Sequence, residues 1–171
     1  YNTVHLIKPV TNGGLLMFTT AHFIWLGACA VLIVLGVVFA LKFKLPLRIA
    51  SYVIFGICVA SELAKTATNI IPSPSGEGYI LDPLALPFHV CSLFIFLIAY
   101  ITFAKNESLK SKLLNFFVPI AIGGGVMAML IPTNGVDFCD IEAYQCFVYH
   151  AGIVWFALYL IFTKQVDLGV K

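Results

Sequence analysis

Residues Leu15–Leu41 read LLMFTTAHFIWLGACAVLIVLGVVFAL, without one Asp, Glu, Lys or Arg. A bilayer core of about 30 Å takes about 20 apolar residues in one helix, and this stretch qualifies. Four more runs do as well: Ile49–Ile71, Pro83–Phe103, Leu113–Ile131 and Ala143–Phe162. Composition agrees with lipid as the solvent. Of 171 residues, 61% are hydrophobic and 11% charged, with a mean hydropathy of +1.00. A soluble domain carries about 25% charged residues, so disorder, a coiled coil and an ordinary soluble enzyme are excluded. A net charge of +2 is too small for an electrostatic nucleic-acid binder.

The basic residues orient the spans. Lys42, Lys44 and Arg48 lie between the first two runs, Lys105, Lys110 and Lys112 between the third and fourth, and Lys164 and Lys171 after the fifth. Eight of the ten Lys and Arg thus fall on one side, which reads as cytoplasmic. The opposite loops carry Glu77, Asp82, Asp137, Asp140 and Glu142. The expected fold is therefore all-α: a multi-pass transmembrane helical bundle of five spans, amino terminus outside, carboxyl terminus cytoplasmic. The loops are too short for a soluble domain, so residues 1–171 are expected to form a single integral membrane domain. The segment Pro72–Asp82, with PSPSGEG, reads as a turn-rich linker. No run has the flanks of a cleavable signal peptide. The chain opens at Tyr1 rather than Met, so part of the true amino terminus is expected to precede it.

Ionisable groups inside membrane helices are costly and mark function by default. Five stand out: His22, Glu62, Lys65, His89 and His150. At about 1.5 Å per residue, His22, His89 and His150 lie about 10 Å from the outer ends of their runs, and Glu62 about 13 Å. Four helices thus send such a group to one layer in the outer third of the bilayer. On the second run Glu62, Lys65, Thr66 and Asn69 form one stripe, either an ion pair that fixes packing or the lining of a polar cavity. On the third, His89 and Ser92 share a face, whereas Cys91 is about 200° around from His89. Cys91 is either an apolar filler or a nucleophile served by a histidine of another helix. Cys29 and Cys58 read as fillers. On the fifth, Gln145 and Tyr149 share a face and His150 lies beside it. Gly123–Gly125 permit close helix approach or a broken helix. Cys139 and Cys146 are placed for a disulfide in an oxidising compartment. Three histidines and a glutamate make a conceivable metal set, but no HExxH-like spacing accompanies them, and no metal or cofactor is expected.

Five segments carry a family likeness: FTTAHFIWLG (Phe18–Gly27), Ser61-Glu62-Leu63, LPFHVCSLFIFLIAY (Leu86–Tyr100), GGGVMAMLIP (Gly123–Pro132) and FVYHAGIVWFALYL (Phe147–Leu160). In this order, over about Phe18 to Lys164, they resemble the YwaF family of bacterial integral membrane proteins. His22 matches that family's first-helix histidine. The likeness implies a bacterial cytoplasmic membrane and further helices beyond Lys171. More distantly the chain is similar to the transmembrane protein 164 acyltransferase family, which remodels ether phospholipids. That likeness implies lipid chemistry. It also implies a cysteine directly before the third-span histidine, where this chain has Phe88, so His89 alone carries over.

Three functions fit. In a lipid acyl-transfer or hydrolysis enzyme, His89 is the base or the orienting group, His150 its partner, Cys91 or a water the nucleophile, and Glu62 sets a histidine tautomer, with His22 in the same catalytic layer. Lys65, Asn69, Ser92, Gln145 and Tyr149 would then line the ligand site, and membrane lipids would be the partners. In a transporter or binding subunit, the same layer holds a small polar ligand. In a structural subunit beside other membrane proteins, these groups are interhelical glue.

Overall fold

The computed structural model describes residues 18–73, 78–81, 90–132, 138 and 141–167, with the backbone alone at Val90 and Cys91. The elements are α1 (Thr20–Lys42), α2 (Leu47–Thr68), β1 (Ile70–Pro72), β2 (Tyr79–Leu81), α3 (Val90–Phe103), α4 (Glu107–Leu130) and α5 (Ile141–Phe162). The protein is a helical membrane bundle. Helices α1, α2, α4 and α5 are long and apolar enough to cross a bilayer. The third expected span is shorter in its described part. Helix α3 has 14 residues and rises about 21 Å, below the about 30 Å of a bilayer core. Residues 82–89 lie outside the described residues.

Three ends of the four long helices differ from the hydropathy runs by three residues or more, each for a local reason. Helix α1 begins at Thr20 rather than Leu15: Phe18 has φ 65°, a left-handed conformation that a helix cannot continue through. Thr19 then caps the helix, its Oγ1 accepting from His22 N–H at 3.3 Å. Helix α2 ends at Thr68 rather than Ile71. The Asn69 side-chain amide donates to Lys65 O at 2.8 Å, closing the last turn. Ile70 and Ile71 are β-branched, and Pro72 drives Ile71 to extended geometry. These residues form an antiparallel pair with β2, in the register Ile70–Leu81, Ile71–Ile80, Pro72–Tyr79. Part of the expected linker is thus a short hairpin. Helix α4 begins at Glu107 rather than Leu113, because Asn106 Oδ1 accepts from Leu109 N–H at 3.1 Å. Lys110 and Lys112 are therefore helical, not in a loop.

Helix α5 is the axis of the bundle, packed against α1, α2 and α4, with buried residues on every side. Small residues bring the neighbours close. A Cβ on Gly36 of α1 would lie 2.7 Å from Trp155 Cδ1, and one on Gly125 of α4 would lie 2.7 Å from Val154 Cγ2. Gly152 of α5 receives Ile54 and Ile57 of α2. Membrane helices lack a hydrophobic drive toward one another, so such fit carries their association. Helix α4 stays unbroken through Gly123–Gly125, which selects close approach over a broken helix. Around the axis, Phe117 meets Phe94 and Phe156 edge-on at 5.3 and 5.7 Å. Trp25 stacks on Phe147 at 5.0 Å. Tyr159 Oη donates to Leu45 O at 2.8 Å, tying α5 to the α1–α2 turn. Along α1, Val31, Leu32, Val34, Leu35, Val38 and Phe39 are exposed, the surface a lipid-facing helix presents.

Candidate functional site

The site starts from the stripe on α2. Glu62 and Lys65 are one helical turn apart, and Lys65 Nζ lies 2.6 Å from Glu62 Oε1. That contact is an ion pair without hydrogen-bond alignment, since Glu62 Oε1 has no aligned donor. Ser92, in the first turn of α3, closes the ring. Its Oγ accepts from Lys65 Nζ at 3.0 Å and donates to Glu62 Oε2 at 3.1 Å. Ser92 is buried, and the Lys65 and Glu62 side chains keep only 15% and 21% of their exposure. The charges cancel, and each finds a hydrogen-bond partner, the condition for ions in a medium of low dielectric. The ammonium has three donors and uses one on the serine, so it retains capacity for an oxygen of a bound molecule.

One turn further, Asn69 links α2 to α5. Its amide donates to Lys65 O and approaches Glu142 Oε1 at 3.4 Å. Glu142 is buried at 9% exposure in the first turn of α5, where the helix dipole favours an acid. As a sequence it reads as one more acid of an outer loop. Its spacing of three and seven from Gln145 and Tyr149 is the signal that could have placed it on their stripe. Gln145 is half-buried and Tyr149 buried, the Tyr149 ring standing edge-on to His150 at 5.1 Å.

The histidines divide. His22 is fully buried. Its Nδ1 accepts from Phe18 N–H at 3.0 Å and its Nε2 donates to Met129 O at 2.8 Å. Met129 O is among the last four carbonyls of α4, which lack helical partners. Both ring nitrogens are thus committed to backbone, tying α1 to the end of α4. His150 Nδ1 donates to Cys146 O at 2.6 Å, which makes Nε2 the basic nitrogen of the neutral ring. Cys146 Sγ lies 3.7 Å from His150 Nδ1. Among the described residues, neither histidine bonds to the Glu62–Lys65–Ser92 ring. His89 lies outside the described residues, as do the side chain of Cys91 and all of Cys139. Cys29 and Cys58 are buried core residues. Among the described residues no three His, Cys, Asp or Glu side chains gather as a metal site.

The model of the TMEM164 family matches residues 17–171. The chain belongs to the TMEM164 family. Of the two likenesses carried by the sequence motifs, the match supports the relation to this one. It spans all five helices of this TMEM164-family protein, and with them every residue of the polar ring. No curated protein and no solved structure matches the chain.

Proposed function

We propose that this TMEM164-family protein is a membrane-embedded enzyme that transfers or hydrolyses acyl esters of phospholipids. It crosses the bacterial cell membrane five times, YwaF-fashion, with the amino terminus outside. The single observation that carries the function is the closed Glu62–Lys65–Ser92 ring between α2 and α3. A charged, hydrogen-bonded group of this kind is expensive within lipid, and its Ser92 is three residues along the sequence from His89. Family membership adds support through the lipid chemistry implied by the sequence likeness.

In this mechanism His89 takes the proton of a water, or a histidine of another helix, His150, takes that of the Cys91 thiol, as the nucleophile attacks the ester carbonyl carbon. The carbonyl oxygen gains charge, which the Lys65 ammonium stabilises. The adduct then collapses: the glycerol oxygen leaves as the lysolipid alcohol, taking the proton from the same histidine, and the acyl group departs as the fatty acid after attack by water or stays as a Cys91 thioester, which a water or a lysolipid hydroxyl then cleaves to restore the thiol. Glu62 and Ser92 hold Lys65 in place, His150 assists the base, and Asn69, Gln145 and Tyr149 line the approach. His22 has the bonding of a structural residue, so its replacement is expected to act on folding.

Lipid mass spectrometry tests the function. Full-length protein in proteoliposomes of defined phospholipids is compared with His89→Ala and Lys65→Gln, each checked for folding. Lysolipid or exchanged acyl chains should appear with the parent and fall about 100-fold or more in the His89 variant. Unchanged lipids from folded parent protein overturn the function. Saturable binding or uptake of a small solute would then assign transport instead.

A further inference from the structure

The polar ring sits at the hairpin end of α2. At the other end of the same helix, α2, α3 and α4 line a half-open cavity of about 520 Å³. Its lining includes Arg48 and Tyr52 from the start of α2, Phe103 and Lys105 at the close of α3, and Glu107 and Lys110 from the first turn of α4. Three cations therefore face one acid. The acid neutralises little: Lys110 Nζ is 3.9 Å from Glu107 Oε1, and Glu107 keeps 78% of its exposure against 17% for Lys110. The lysine is held inward while its counter-ion stands in solvent. The Arg48 guanidinium lies over the Tyr52 ring at 5.8 Å. Since Glu107 and Lys110 belong to the first turn of α4, its positive dipole end adds to the same field.

The floor is fixed. Thr102 Oγ1 donates to Ile98 O at 2.7 Å and reaches Ser51 O at 3.4 Å. Ser51 Oγ donates to Leu47 O at 2.9 Å. The rim is apolar: Tyr52 and Phe103 meet edge-on at 5.8 Å and are 42% and 57% exposed. Lys110 held inward with exposed Arg48 and Lys105 around it, beside an exposed aromatic rim at the end of apolar helices, fits a molecule with an anionic head and a hydrocarbon tail.

We infer that this cavity binds the phosphate of an anionic phospholipid, with Arg48, Lys105 and Lys110 around the headgroup and Tyr52 and Phe103 along the start of the acyl chain. Basic pockets between membrane helices take lipid phosphates by this chemistry. Arginine supplies a planar fork to a phosphate, and each lysine a point charge. The site is separate from the polar ring and does not depend on the chemistry proposed there. A free phosphate shares the headgroup chemistry but lacks the tail for the rim.

The test uses the full chain in a zwitterionic detergent, with native mass spectrometry and thermal unfolding as readouts. The probes are dioctanoyl phosphatidylglycerol, dioctanoyl phosphatidylcholine and inorganic phosphate. The glycerol lipid should bind saturably and raise Tm, the choline lipid should bind at least tenfold more weakly, and phosphate should shift Tm little. Each of Arg48→Gln, Lys105→Gln and Lys110→Gln should weaken the anionic lipid about fivefold, and the triple variant about 100-fold. Glu107→Gln, at an exposed position whose acid neutralises little, should stay near the parental affinity, and the single variants guard against a triple variant that fails to fold. Equal binding of the two lipids, or parental affinity in the folded triple variant or in all three single variants, overturns the assignment. Phosphate as tight as the glycerol lipid overturns the lipid part and leaves a soluble phosphate compound.

Discussion

At the residue scale, the ring of Glu62, Lys65 and Ser92 has an energetic signature that separates its parts. Removing one partner of a buried ion pair strands the other charge and costs about 3–5 kcal/mol, whereas replacing both with apolar groups is often neutral or stabilising. Glu62→Ala should therefore destabilise by about 3 kcal/mol, the low end because a fifth of the side chain is exposed. Glu62→Leu with Lys65→Met should regain the parent's Tm in detergent. If that double variant is stable but loses acyl transfer, the ions serve chemistry; if it is stable and active, they do not. The i,i+3 spacing made the Glu62–Lys65 pair legible in the sequence. The position of Ser92 on the third run was legible too, but its closing of the ring was not, because that depends on the register of α3 against α2. The same holds for His22. Its place in a membrane helix was plain, yet its partner is a backbone carbonyl 107 residues away, and carbonyls leave no mark in a sequence.

At the element scale, the three consecutive glycines of α4 were legible as a packing signal, but which of them packs was not. Only their rotation relative to α5 decides it. A Cβ on Gly123 meets nothing within 4 Å, while one on Gly125 lies 2.7 Å from Val154 Cγ2 and 3.4 Å from His150 O. Overfilling a packed interface costs about 1–3 kcal/mol. Gly125→Ala should therefore lower stability by about that amount. Gly123→Ala, in open space, should be neutral or add up to about 1 kcal/mol from helix propensity. Thermal unfolding of the two variants, side by side, checks this. Equal effects would mean that α4 does not meet α5 through Gly125. The helix ends teach a related lesson. Hydropathy located the apolar runs, but Asn106, Asn69 and Phe18 set the starts and stops through caps and backbone geometry. That is why Lys110 belongs to a helix and can reach into a cavity.

At the scale of the molecule, contacts along the chain sort the helix ends into two groups. Ser92 meets Glu62 and Lys65 at one end of α2, and Thr102 meets Ser51 at the other, so α2 and α3 run antiparallel. Asn69 meets Glu142, and Tyr159 meets Leu45, so α2 and α5 do as well. The hairpin and Glu142 thus mark one end of the bundle, and Leu45, Arg48 and Lys105 the other. From the charge asymmetry we propose that the basic end is cytoplasmic. That orientation is decided by labelling single cysteines in whole cells with a membrane-impermeant maleimide, in a background with Cys139→Ser. Ser73→Cys, beside the hairpin, should react in intact cells. Ser108→Cys, in the first turn of α4, should react only after the cells are opened. The reverse pattern would place the polar ring nearer the cytoplasmic leaflet and the basic cavity at the outer surface. An acyl-transfer site would then draw its ester from the inner leaflet, while the cavity would meet outer-leaflet lipids. The same two cysteines thus fix which leaflet supplies each lipid.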